Sequence, residues 1–74
     1  MKVKPLKTYQ VMNEPTYLIR YSAEQKEPLM LATWAKTRSE AISLSYKFME
    51  AFGYDDAEIW ACSNLTIIAK TTRN

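Results

Sequence analysis

Few residues in this chain could do chemistry. Among 74 residues there is one cysteine (Cys62), one glycine (Gly53), a carboxylate group at Asp55, Asp56 and Glu58, five tyrosines and no histidine. Without an imidazole to draw off its proton, Cys62 reads as a small core residue rather than a nucleophile. Ser39, Ser43 and Ser45 lack a base for the same reason and read as helix surface or its margin. The Asp55, Asp56 and Glu58 spacing is not that of an EF-hand and is what a turn uses, and a lone thiol cannot build a cysteine-based zinc site. One glycine cannot form a phosphate-cradling loop. The expectation is a protein with no catalytic residues, no metal and no cofactor, whose work is recognition.

Charge narrows what could be recognised. The net charge is +2, but all eight acids lie between Glu14 and Glu58, where they outnumber the five bases Arg20, Lys26, Lys36, Arg38 and Lys47. The ends carry Lys2, Lys4, Lys7, Lys70 and Arg73 with no acid. If the ends meet, they form a basic edge that could attract nucleic-acid phosphates. Lysines so placed also keep edge strands from pairing with other chains. The tyrosines could stack on bases, although tyrosine in strands is equally a matter of β-propensity.

A chain this short buries only roughly 60% of its unfolded surface, which allows one domain with one thin core. Hydrophobic residues make up 47% of it, ordinary for a globular domain and too many for disorder. The longest nearly apolar stretch, Leu29 to Ala35, is too short to cross a bilayer, and no secretory pattern opens the sequence. With a single cysteine, the expected setting is a reducing cytoplasm.

The elements that must position a recognition surface are legible in part. Thr37-Arg38-Ser39-Glu40 has the capping-box form, in which Thr37 accepts the Glu40 amide and Glu40 reaches back to the Thr37 amide. At 100° per residue, Ala41, Leu44, Phe48, Met49, Ala51 and Phe52 share one side of the helix, with Ile42 at its margin. Gly53 sits where a left-handed residue would end it. Strands are expected over Thr8 to Met12, Thr16 to Ser22, Leu29 to Lys36, Ala57 to Cys62 and Leu65 to Thr71. Asn13-Glu14-Pro15 is the first turn and Ala23 to Pro28 the second loop. The last two strands form either a hairpin or one long bulged strand. The fold class is α+β, a single domain over residues 1–74. One antiparallel sheet carries one helix on one face, in the order β-β-β-α-β-β or β-β-β-α-β.

One helix covers one face of a sheet, so the strand alternation decides what stays open. One set is Tyr17, Ile19, Tyr21, Leu29, Leu31, Thr33, Ala35, Ile59, Ala61, Leu65, Ile67 and Ala69, which carries fewer charges and suits the helix side. The other mixes Leu18, Met30, Trp34, Trp60 and Ile68 with Arg20, Lys36, Glu58 and Lys70. Aromatic anchors among charges are the composition of an interface, which makes Trp34, Trp60, Met30, Arg20, Lys36, Glu58 and Ile68 the candidate partner-binding residues. The usual burial of tryptophan argues for the reverse orientation, and both stay open. Either way both faces keep large apolar groups, so one needs cover from a partner or from a second copy as a homodimer.

The run Trp34-Ala35-Lys36-Thr37-Arg38-Ser39-Glu40-Ala41-Ile42-Ser43-Leu44, with Gly53-Tyr54 and Cys62 after it, resembles the small bacteriophage T7-type inhibitors of host RNA polymerase. That family has an aromatic-Ala-x-Thr strand end, a Glu-Ala-x-x-Leu helix and a Gly-aromatic turn into a final strand. The likeness covers Trp34 to Cys62. Where the family binds polymerase through arginines after the glycine, this chain has Glu58 and Trp60. The resemblance therefore implies a fold and a phage-type role in binding a partner, and leaves the target open. Two functions are expected from it and from the residues. The first is a phage or mobile-element protein that occupies a host polymerase or immune nuclease, alone or in a protein–nucleic acid complex, and inhibits or redirects it. The second is a nucleic-acid-binding accessory protein using Lys2, Lys4, Lys7, Lys70 and Arg73.

Overall fold

The computed structural model describes residues 14–73. In these, two strands, β1 (Tyr17–Ala23) and β2 (Lys26–Thr33), precede a 15-residue helix α1 (Arg38–Phe52), and two more, β3 (Asp56–Ala61) and β4 (Thr66–Thr72), follow it. The four strands form one antiparallel sheet in the order β2-β1-β3-β4, with α1 packed against it. The α+β class and one helix packed on the sheet, the single helix among the described residues, are as the sequence indicates. The expected strand over Thr8 to Met12 lies outside the described residues. Its expected hairpin partner, β1, has β2 on one side and β3 on the other along nearly its whole length.

The expected loop from Ala23 to Pro28 shrinks to a tight turn. Ala23 pairs with Lys26, so Glu24 and Gln25 alone make the reversal, and β2 starts three residues earlier and ends three earlier than Leu29 to Lys36. Pro28 is tolerated because β2 is an edge strand and a register irregularity lies opposite, between Tyr21 and Ala23. Lys26 holds the corner. Its ammonium donates to the Phe52 carbonyl at the helix C-terminus, where a cation suits the dipole, and sits 4.6 Å from the centre of the Tyr54 ring.

The helix starts and stops where its caps require. Thr37, with φ −134° and ψ 163°, accepts the Glu40 amide at 3.1 Å. The return half of the box differs from expectation: Glu40 accepts the amide of Lys36 at 2.8 Å rather than that of Thr37. Gly53 has φ 78°, and its amide and that of Tyr54 both donate to the Met49 carbonyl, at 2.9 and 3.1 Å.

The buried helix stripe is Ala41, Ser45 and Met49, flanked by Ile42 and Phe48. Leu44, Ala51 and Phe52, expected on the buried side, are exposed, while Ser45, expected on the helix surface or its margin, is fully enclosed. The cause is the helix position: α1 packs over β3, β4 and β1 and leaves β2 largely uncovered. Ser45 is accommodated because its hydroxyl donates to the Ile42 carbonyl at 2.7 Å and lies 3.1 Å from the Thr71 hydroxyl. With its one proton committed, Ser45 accepts from Thr71, and the pair ties α1 to β4. Toward the other end of the helix, Phe48 stacks on Tyr21 with centroids 4.4 Å apart and lies 4.5 Å from Phe52, with Tyr54 beside them.

Candidate functional site

Strand parity and register place the candidate residues. Directly paired residues in an antiparallel sheet share a face, so the pairings define rows that run across all four strands. Toward the helix, one row is Leu31, Ile19, Ile59 and Ala69, and the next is Leu29, Tyr21, Ala57 and Thr71. Ile19, Tyr21, Ala57, Ile59 and Thr71 are buried, which settles the orientation: the less charged set packs on the helix. On the opposite face one row is Ala32, Leu18, Trp60 and Ile67, uncharged throughout. Beside it runs Met30, Arg20, Glu58 and Lys70, in which charge alternates from strand to strand.

This open face brings together Arg20, Met30, Glu58 and Trp60 from the expected binding set, with Lys70 from the basic set. The Arg20 guanidinium and the Glu58 carboxylate lie 3.9 Å apart, both partly exposed, so the pair is screened and adds little to stability. It aligns the charges beside the apolar row. Trp60 is half-buried, and its indole nitrogen is shielded from solvent with no hydrogen-bond acceptor among the described residues. Leaving a shielded donor unpaired costs about 1–3 kcal/mol. An acceptor brought by a partner that re-seats the ring would recover part of that.

Three expected residues lie elsewhere. Ile68 packs against the core instead of joining Trp60, because the register slips by one between Ile59 and Trp60 and puts Ile67 opposite the indole. Bulges are what break strict alternation, and Ile67 is the residue that parity alone assigns to the helix side. Leu18 stands on the open face as parity expects, although it is not among the candidate partner-binding residues. Trp34 stands one residue beyond β2 and is 55% exposed. Lys36 lies further along the same connection, beside a cleft of mixed polarity lined also by Glu14, Pro15, Tyr17, Ala61 and Cys62.

Of the residues in the basic ends, Lys70 and Arg73 lie among the described residues. Lys70 stands opposite Glu58 on the open face, and Arg73 pairs with Asp55 at 3.0 Å. Lys2, Lys4 and Lys7 lie outside the described residues. Asp55 and Asp56 instead join the ends of the sheet: the Asp55 amide donates to the Ser22 carbonyl, and Thr72 donates to the Asp56 carboxylate at 3.3 Å. Among the described residues no three His, Cys, Asp or Glu side chains come close enough to hold a metal ion, and no helix is long and apolar enough to cross a membrane.

Comparison with known proteins adds no relative: no protein-family model matches the chain, and neither a curated protein nor a solved structure does.

Proposed function

We propose that this chain is a protein-binding module of phage or mobile-element type. In this reading it docks its open sheet face on a large host enzyme, a polymerase or a CRISPR-type immune nuclease, and inhibits or redirects it by occupying its surface. One observation carries the reading: a row of Ala32, Leu18, Trp60 and Ile67 on the face away from the helix, bordered by the charges of Arg20, Glu58 and Lys70. A central aromatic with a charged rim is where binding energy concentrates in protein interfaces. The resemblance of Trp34 to Cys62 to phage polymerase inhibitors supports the biological setting. The mixed charge of the face speaks against mimicry of DNA, so steric occupation is the mechanism proposed.

Affinity capture from bacterial lysate, with and without nuclease, followed by mass spectrometry, tests this. A protein target retained after nuclease and in high salt is the expected result. Trp60→Ala should weaken its capture by more than about tenfold, the loss of an anchor of roughly 2 kcal/mol. Capture that vanishes with nuclease, and with Lys2, Lys4 and Lys7 changed to Gln, would transfer the function to nucleic acid.

A further inference from the structure

The two edges of the sheet are built differently. β4 ends the sheet with Thr66, Lys70 and Thr72 and with a bulge, features that discourage another strand from pairing. In β2 the charges are confined to Lys26 and Glu27 at its start: from Pro28 to Ala35 no residue is charged, and among the described residues nothing pairs with its outer side. It is apolar on both faces. Met30 is 48% exposed on the open face, and Leu31 is 36% exposed toward the helix. Because α1 leans away from β2, Leu31 and Thr33 also line a groove of about 190 Å³ with Leu44 and Phe48 on its helix side.

We infer that β2 is a homodimer edge that pairs antiparallel with β2 of a second copy. The free backbone groups of an edge strand are a template for another extended strand, and this strand is compatible with itself. A two-fold axis through Leu31, perpendicular to the sheet, pairs Leu31 with Leu31 of the second copy, Met30 with Ala32 and Leu29 with Thr33. Every such pair joins residues of the same face, as an antiparallel ladder requires, and none carries a charge; the same register puts Lys26 opposite Lys36 only past Thr33, where β2 has ended. Pro28, which has no amide proton to donate, falls outside these pairs. The row Ala69, Ile59, Ile19, Leu31 then runs on into its own mirror sequence, and an exposed Leu44 from each copy flanks the seam. The result is one eight-stranded sheet with both helices on one side and two Trp60 rows on the other. The seam uses the outer backbone edge of β2, whereas the partner reading rests on the Trp60 row and meets the seam only at Met30 and Ala32, so either can fail without the other.

Sedimentation equilibrium of the full chain from low to high micromolar concentration tests the inference. The expected mass rises from 8.6 kDa toward twice that value. Leu31→Lys, which sets two ammonium groups against each other at the axis, should hold the mass at the lower value, while Thr66→Lys on the opposite edge should not. Should Leu31→Lys unfold the chain, cross-linking decides. In a Cys62→Ser background, Leu31→Cys should form a disulfide-linked dimer under mild oxidation, because facing pairs lie about 4.5–5.5 Å apart, and Thr66→Cys should not. A chain that stays at 8.6 kDa at every concentration, or a dimer that neither dissociates with Leu31→Lys nor cross-links with Leu31→Cys, overturns the proposal.

Discussion

The two faces of this sheet are made by the same strands, one residue out of step. Ile19 and Ile59 face the helix, and Leu18 and Trp60 face away. On the helix side the apolar groups are enclosed by Ala41, Ser45 and Met49, so their contribution is to folding. On the other side groups of similar or greater size, Leu18 and Trp60, are only half-buried, and in the proposed reading a partner completes their burial. Hydrophobicity alone therefore does not separate a core residue from a binding residue. The cover above it does.

The largest expected effects come from making the same kind of change on each face. Met49→Ala or Ile59→Ala empties an enclosed site and should lower unfolding stability by about 2–5 kcal/mol. For a domain whose whole stability is on the order of 4–11 kcal/mol, that approaches loss of the fold. Leu18→Ala removes comparable volume from the open face and should cost much less in a denaturant titration. Equal losses at Ile59 and Leu18 would mean that the open face is already covered, and the contrast between the faces would be gone.

Tyr21 sharpens the comparison through pH. Burial against Phe48 and the core pushes its phenol up from 10.0 to about 12. The folded state therefore favours the neutral phenol more than the unfolded chain does. This contribution is complete below pH 10 and is lost as pH rises toward 12, a change of up to roughly 3 kcal/mol. Unfolding measured from pH 9 to 12 should show that loss in the parent chain and a smaller one in Tyr21→Phe. Parallel pH curves for the two would show that Tyr21 is not enclosed, and the covered face would have to be redrawn.

Much of this arrangement is legible in the sequence, and the reasons for the exceptions are specific. Thr37 and Gly53 mark the helix ends because caps are local chemistry, and the alternation in β1 and β3 gives the faces because period two is local as well. The position of the helix over the sheet is not local. Counting every apolar side chain equally on a helical projection puts Leu44 and Phe52 inward, whereas α1 lies over β1, β3 and β4, which turns Ser45 inward and opens the groove along β2. Strand order is likewise a tertiary result, so the apolar edge of β2 could not be seen in Leu29 to Ala35. The one-residue slip in β4 exchanged Ile68 for Ile67 on the open face, and strict alternation has no signal for it.

Ser45 and Thr71 test whether the covered face accepts a polar pair only because it is complete. Removing either hydroxyl, as Ser45→Ala or Thr71→Val, leaves its partner enclosed and short of a bond, at a cost of about 1–3 kcal/mol. The double variant leaves no hydroxyl stranded at that contact and should cost less than the sum of the two. A double-mutant cycle by denaturant unfolding reads the difference. Simple additivity would show that water reaches the site.

The smallest effect is expected at Leu65, in the turn between β3 and β4, where the chain leaves the covered face altogether. Leu65 has φ 56°, a left-handed conformation that glycine adopts freely, and its amide donates to the Ala61 carbonyl at 2.8 Å. A side chain in that conformation costs roughly 1–2 kcal/mol, and Leu65 is 61% exposed, so little burial offsets it. Leu65→Gly relieves the strain but enlarges the freedom of the unfolded chain by about 0.5–1 kcal/mol. The net expectation is a gain in stability of a few tenths to about 1 kcal/mol, read as a small rise in the thermal midpoint. A fall instead would mean that the leucine side chain makes contacts worth more than its strain, and that the apolar surface away from the helix extends past Ile67 to the tip of the hairpin.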